Sequence, residues 1–167
     1  MRHVISILLE NEAGALSRVV GLFSQRGYNI DSLTVAPTED PTLSRCTILT
    51  TGEKNEAEQI TKQLHKLVCV FRVSDVQEES EGGLEREMVL VKVNTPNRNV
   101  RDEVKSLADI FRARIIDVNA EIFTLEFVGT PDETDNFIST ICKLAEVTEV
   151  VRSGVLGIAK GSHFMKP

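Results

Sequence analysis

The chain runs one order of periodicities twice, and that repetition limits its fold more than any other feature. Val, Ile and Leu crowd residues 4–9, as in a buried strand. Leu16, Val19, Val20 and Phe23 then recur at helical spacing, and Gly27 ends that helix. Residues 28–36 predict a second strand, closed by Pro37, and "PTEDPTL" a hairpin connector. A third strand over 44–51, a helix marked by Ile60, Leu64 and Leu67, and a fourth strand over 70–76 complete the set. From residue 87 the order returns: strand 87–93, helix on Val100, Val104, Leu107, Ala108 and Phe111, strands 115–118 and 122–128, helix on Phe137, Ile141 and Leu144, and a last strand over 149–158. Shifted by 77 positions, Ile48 falls on Leu125, Gly52 on Gly129, Ile60 on Phe137 and Leu64 on Ile141. At the same offset Leu67 falls on Leu144, Val70 on Val147 and Val73 on Val150, as two copies of one plan would give.

A β-α-β-β-α-β unit closes as a four-stranded antiparallel sheet with both helices on one face. The sequence therefore predicts an α+β chain of two consecutive ferredoxin-like βαββαβ units. The expected divisions are a domain over 1–77, a linker over 78–86 and a second domain over 87–167. The linker falls in "VQEESEGGLERE", which is acidic and nearly free of apolar side chains. "VISILL" and "VVRSGVLGI" are too apolar to leave a sheet face to water, so a partner surface is expected on a sheet face, a sheet edge or both.

Charge and composition remove several function classes. The net charge is −6, without a Lys/Arg block, which argues against a phosphate-backbone partner. Aromatics are 5% and Trp is absent, so base-stacking platforms are not expected. Cys46, Cys69 and Cys142 are scattered in apolar sequence and predict buried free thiols in a reducing compartment. The three histidines show no metal-ligand spacing, and no Ser-His-Asp or Cys-His grouping is legible. No run approaches a membrane span or a signal-peptide core, so the expectation is a cytoplasmic protein with no metal and no catalytic residues.

The connection "LLENEAGALSRVVGLFSQRGYNI" carries the candidate site. A helix start presents backbone N–H groups without internal partners and a partial positive charge, a seat for a carboxylate. Gly14 lets backbone approach a ligand, and Asn11 offers both a donor and an acceptor. Asn29, after Gly27-Tyr28, is expected to close the site from the other side. Two Asn residues and a helix start suit a zwitterion; an anion site more often recruits Arg or Lys. An ordinary capped connection accounts for the same residues, and the residues alone leave both readings open.

The motif "LLENEAGALSRVVGLFSQRGYNIDSLTVAPTEDPTLSR", with "KQLHKLVCVFRVSDV", "EREMVLVKV" and "RSGVLGIAKG", resembles an ACT domain. More narrowly, it resembles the small regulatory subunits of acetolactate synthase over nearly the whole chain. That resemblance implies a protein with no chemistry of its own. It would bind and activate a thiamine-diphosphate-dependent catalytic large subunit and confer feedback inhibition by valine or a related branched-chain amino acid. Thiamine diphosphate, Mg and FAD would sit on that partner, and no cofactor on this chain. The resemblance further implies a homodimer through ACT domains, with the effector held by Asn11, Gly14, Ala15, Leu16, Asn29 and Ile30. The second half has "NTPNRNVRDE" at the matching loop, without glycine, so no second effector site is expected. Activation of the partner draws attention to the connector 38–45, where Asp40 and Arg45 are candidate contacts. A stand-alone ACT-type sensor acting on another target is the alternative. An acylphosphatase-like enzyme would want Arg beside the loop, which is acidic at Glu10 and Glu12; an RNA-recognition module would want aromatics in "LSRCTIL" and "MVLVKV".

Overall fold

A computed structural model describes residues 1–78 and 82–167. The described residues form two compact units, Met1–Glu85 with Val155–Pro167, and Arg86–Gly154. The first contains β1 (Arg2–Glu10), α1 (Ala15–Gln25), β2 (Ser32–Pro37), β3 (Leu43–Thr51), α2 (Lys54–Leu64) and β4 (Val70–Asp75). Its strands lie in the order β2-β3-β1-β4 with every ladder antiparallel, which is the expected ferredoxin-like arrangement. Ile5, Ile7 and Leu9 of β1 turn one face to the helices, where they meet Val19 and Phe23 of α1, Ile60 and Leu64 of α2, and Cys46 and Ile48 of β3. β2 starts later than the sequence suggested, because the residues before it close the helix. Gly27 takes φ +71°, and Tyr28 N–H reaches back to Phe23 O at 3.0 Å. Tyr28 and Ile30 then pack onto the core.

The opposite face of this sheet carries Val4, Ser6 and Leu8 of β1 beside Thr47 of β3, all buried. The expected partner surface there is occupied by the chain's own later residues. Val155 donates its N–H to Ser32 Oγ at 2.9 Å and accepts from Thr34 Oγ1 at 3.4 Å. β9 (Leu156–Ala159) follows directly, and its pairing with β5 continues at Lys160, which donates to Gly82 O at 3.1 Å. Gly157 fits only because it lacks a side chain: a Cβ there would lie 2.8 Å from Val4 Cγ1.

The second unit holds most of β5 (Gly83–Asn94), α3 (Arg98–Phe111), β6 (Arg114–Val118), β7 (Ile122–Gly129), α4 (Pro131–Leu144) and β8 (Val147–Arg152), in the sheet order β6-β7-β5-β8. Phe111, Phe127 and Phe137 meet in its core, the last two stacked at 4.8 Å between centroids. Glu87, buried on β5, takes Arg152 bidentately at 2.9 and 2.6 Å, and Arg152 also reaches Asp135 of α4 at 2.8 Å. Hydrogen bonding to Glu87 raises the already high Arg152 pKa further.

Boundaries differ in two further places. Residues 79–81 of the expected linker lie outside the described residues, and β5 is already strand at Gly83, where Glu85 pairs with Arg2. The single last strand expected over 149–158 is broken. Ser153 bonds Met88 through its N–H at 2.9 Å and its hydroxyl at 3.0 Å, Gly154 turns at φ +83°, and Val155 returns to the first unit.

Candidate functional site

α1 starts without a side-chain cap. At the other three helix starts a side chain bonds the backbone. Glu56 accepts the Glu53 N–H at 2.8 Å, Asn97 Oδ1 accepts the Val100 N–H at 3.1 Å, and Thr130 with Glu133 forms a capping box. The Asn97 cap closes the position in the second unit that corresponds to the α1 start. At α1 itself Gly14 takes φ +88°, and the space where a Cβ would project is open for 4 Å. Ala15 N–H donates to Glu12 O at a long 3.2 Å, while Gly14 O accepts Arg18 N–H at 3.1 Å. The exposed turn thus presents first-turn amides that the helix cannot satisfy internally.

Asn11 is tied to the β2–β3 connector. Its N–H donates to Thr42 O at 2.7 Å and its side-chain amide to Pro41 O at 2.9 Å, which ties the amide nitrogen to the connector and leaves the oxygen for an incoming group. The connector is a built turn. Asp40 Oδ1 accepts from Thr42 N–H at 2.9 Å and Thr42 Oγ1 at 2.7 Å, and these bonds hold the Asp40 carboxyl below its usual range. Asp40 therefore spends its carboxylate inside the turn. Arg45 does not reach outward from the connector either: it lies half-buried on the sheet face, its Nε donating to Ser6 Oγ.

The structure separates the six residues expected at the site. Ala15 is buried, Leu16 packs against the core, and both stand with Asn11 and Gly14 at one end of the sheet. Asn29 and Ile30 stand at the other. Asn11 is bonded to Thr42, just before β3, and Asn29 O to Thr50 Oγ1 (2.7 Å), eight residues further along, or about 27 Å at strand rise. Asn29 therefore does not close the loop within one chain, contrary to the sequence expectation. The reason is topological: β2 runs parallel to β1, so α1 must carry the chain back to the opposite end before β2 begins. At that end Asn29 donates to Asp31 Oδ1 at 2.6 Å and Thr51 Oγ1 donates to Asp31 Oδ2 at 2.9 Å. The sequence reading missed Asp31, although its place two residues after Asn29 was visible.

Among the described residues no group of three or more His, Cys, Asp or Glu could hold a metal ion, and no helix is long and apolar enough to cross a membrane. Cys46 and Cys69 are buried as expected, but Cys142 is exposed: it follows buried Ile141 on α4 and turns to the other side of the helix.

Comparison with known proteins adds a class and then a family. Residues 5–72 match a family described as "AHAS small subunit-like ACT domain", and the first unit is an ACT domain. Residues 86–161 match "Small subunit of acetolactate synthase". The chain is 54% identical to the acetolactate synthase isozyme 3 small subunit of Escherichia coli K12, covering 99% of this chain and 100% of that one. It is 54% identical to the acetolactate synthase small subunit of Haemophilus influenzae, covering 96% and 97%. The crystal structure of the Thermotoga maritima acetolactate synthase small subunit superposes with a TM-score of 0.87 at 36% identity, over 98% of this chain and 99% of that one. The chain belongs to the acetolactate synthase small-subunit family.

Proposed function

We propose that this chain is the regulatory subunit that activates a thiamine-diphosphate-dependent catalytic subunit and makes it sensitive to valine or a related branched-chain amino acid. Thiamine diphosphate, Mg and FAD belong on that catalytic partner. The observation that carries the reading is the uncapped start of α1, with Gly14 left-handed and open space before it. The effector carboxylate takes the free amides of Gly14 and Leu16, and Asn11 contributes its side-chain oxygen to the ammonium. A free amino acid with Kd on the order of 0.1 mM binds by roughly −5.5 kcal/mol. Spread over about eight heavy atoms, that asks for no unusual contact.

The separation of Asn11 from Asn29 leads to a homodimer. β2 is an edge strand, and α1 crosses toward it. Twofold pairing of β2 edges sets two α1 helices side by side and antiparallel. The α1 start of one copy then meets the Asn29–Ile30 end of the other, with Asp31 as a further acceptor for the ammonium. A site completed by two copies gives the effector different affinities for different dimer arrangements, which inhibition requires. The test is Gly14→Asp. Asp tolerates positive φ better than most residues, so the turn survives while a carboxylate occupies the anion seat. The expected outcome is loss of valine binding by calorimetry and of valine inhibition, with activation of the catalytic subunit retained. Undiminished valine inhibition in this variant refutes the site.

A further inference from the structure

On the face of the first sheet away from the helices, Arg45 of β3 and Arg72 of β4 stand opposite the same residue, Leu8 of β1, one on each side of it. Among the described residues neither guanidinium lies within ion-pairing distance of a carboxylate. Arg45 is half-buried, and burial pushes its pKa down with no neighbouring charge offsetting it. A partly desolvated cation without a counter-charge is an unfavourable arrangement that an anion would relieve. The Arg45 bond from Nε to Ser6 Oγ fixes the guanidinium and leaves its two terminal nitrogens for a bidentate partner.

Both arginines line a cleft of about 490 Å³ that the C-terminal segment completes. Lys166 adds to the positive side, and among the described residues Glu39 is the one acid in the lining, in a chain whose net charge is −6. Ile158, Phe164 and Met165 supply an apolar wall. The volume exceeds what an inorganic oxyanion fills, and the wall has no use for one.

We propose that this cleft is a binding site for an organic phosphate monoester, its dianionic head on Arg45 and Arg72 and its apolar body against Ile158, Phe164 and Met165. Two cations lining one cleft favour a dianion over a carboxylate monoanion. The site lies on the sheet face away from α1 and is separate from the effector site proposed above.

Calorimetry on the full chain at low salt, with hexyl phosphate, hexanoate and inorganic phosphate as probes, tests the assignment. Hexyl phosphate is expected to bind saturably and at least about tenfold more tightly than either of the others. Arg72→Gln, at an exposed side chain that leaves the fold intact, is expected to weaken it by about tenfold, and the double variant with Arg45→Gln to abolish it. A Gly14→Asp chain that no longer takes valine still takes hexyl phosphate, which keeps the two sites distinguishable. No saturable binding overturns the proposal, as does binding that Arg72→Gln leaves unchanged. Equal affinity for hexanoate overturns the phosphate head, and equal affinity for inorganic phosphate overturns the apolar body.

Discussion

Gly14 and Gly27 bracket α1, and each is needed for a different reason. Gly27 at φ +71° lets the chain leave the helix by a reach-back bond, whereas Gly14 at φ +88° lets it enter without a cap. Only the second leaves unsatisfied donors facing solvent, and for that reason the same residue type marks a stop at one end and a seat at the other. Cysteines also divide by environment. Burial pushes the Cys46 thiol up to about 12 from an ordinary value of 9.0. A folded pKa above the unfolded one stabilises the fold fully below pH 9.0, and that contribution is lost as pH rises through the window from 9.0 to about 12. A thiol reagent applied to the native chain near pH 8 is therefore expected to modify Cys142 alone, with Cys46 and Cys69 reacting only on unfolding. Mass spectrometry of the labelled peptides checks this, and comparable labelling of Cys46 and Cys142 contradicts it.

At the scale of elements, α3 ends as α1 does, but with the wrong residue for its geometry. Arg112 takes φ +57° so that Ala113 N–H can reach Ala108 O at 2.8 Å. An L side chain in that conformation costs about 1 kcal/mol or more relative to glycine. Arg112→Gly is expected to stabilise the second unit by about 1 kcal/mol, read as a raised urea midpoint at unchanged slope. The order of strands and helices was legible in the sequence because apolar spacing is a local signal, and each expected element is present. Less legible were features that depend on distant residues. β2 starts late because Tyr28 is drawn back to Phe23. The expected 149–158 strand breaks because Ser153 is held by Met88, far away in sequence. The candidate site shows the same division. Asn11 through Leu16 are one local connection and were readable as a unit. The assignment of Asn29 to their side failed because it required the direction of β2, which the antiparallel β3 ladder sets.

Over the whole molecule, the second unit is inserted into the first: Glu85 leads out and Val155 leads back. The returning segment contributes the buried Val155, two hydrogen bonds to β2, and Gly157 lying over Val4. A chain truncated after Gly154 is expected to lose about 2.5–6 kcal/mol in the first unit, counting one buried Val side chain and two hydrogen bonds. Denaturant unfolding followed on a first-unit probe, with a rise in hydrophobic-dye binding, is the readout. Unchanged stability would mean that the segment merely rests on the sheet. The insertion also orders events on the ribosome. The opening domain emerges early, yet the strip that shields Val4 and Thr47 is translated only after sixty-odd residues of intervening sequence have passed. Through that interval the nascent ACT sheet has one greasy side bare, so chaperone occupancy and vulnerability to aggregation belong to the second half of synthesis and end when the tail arrives.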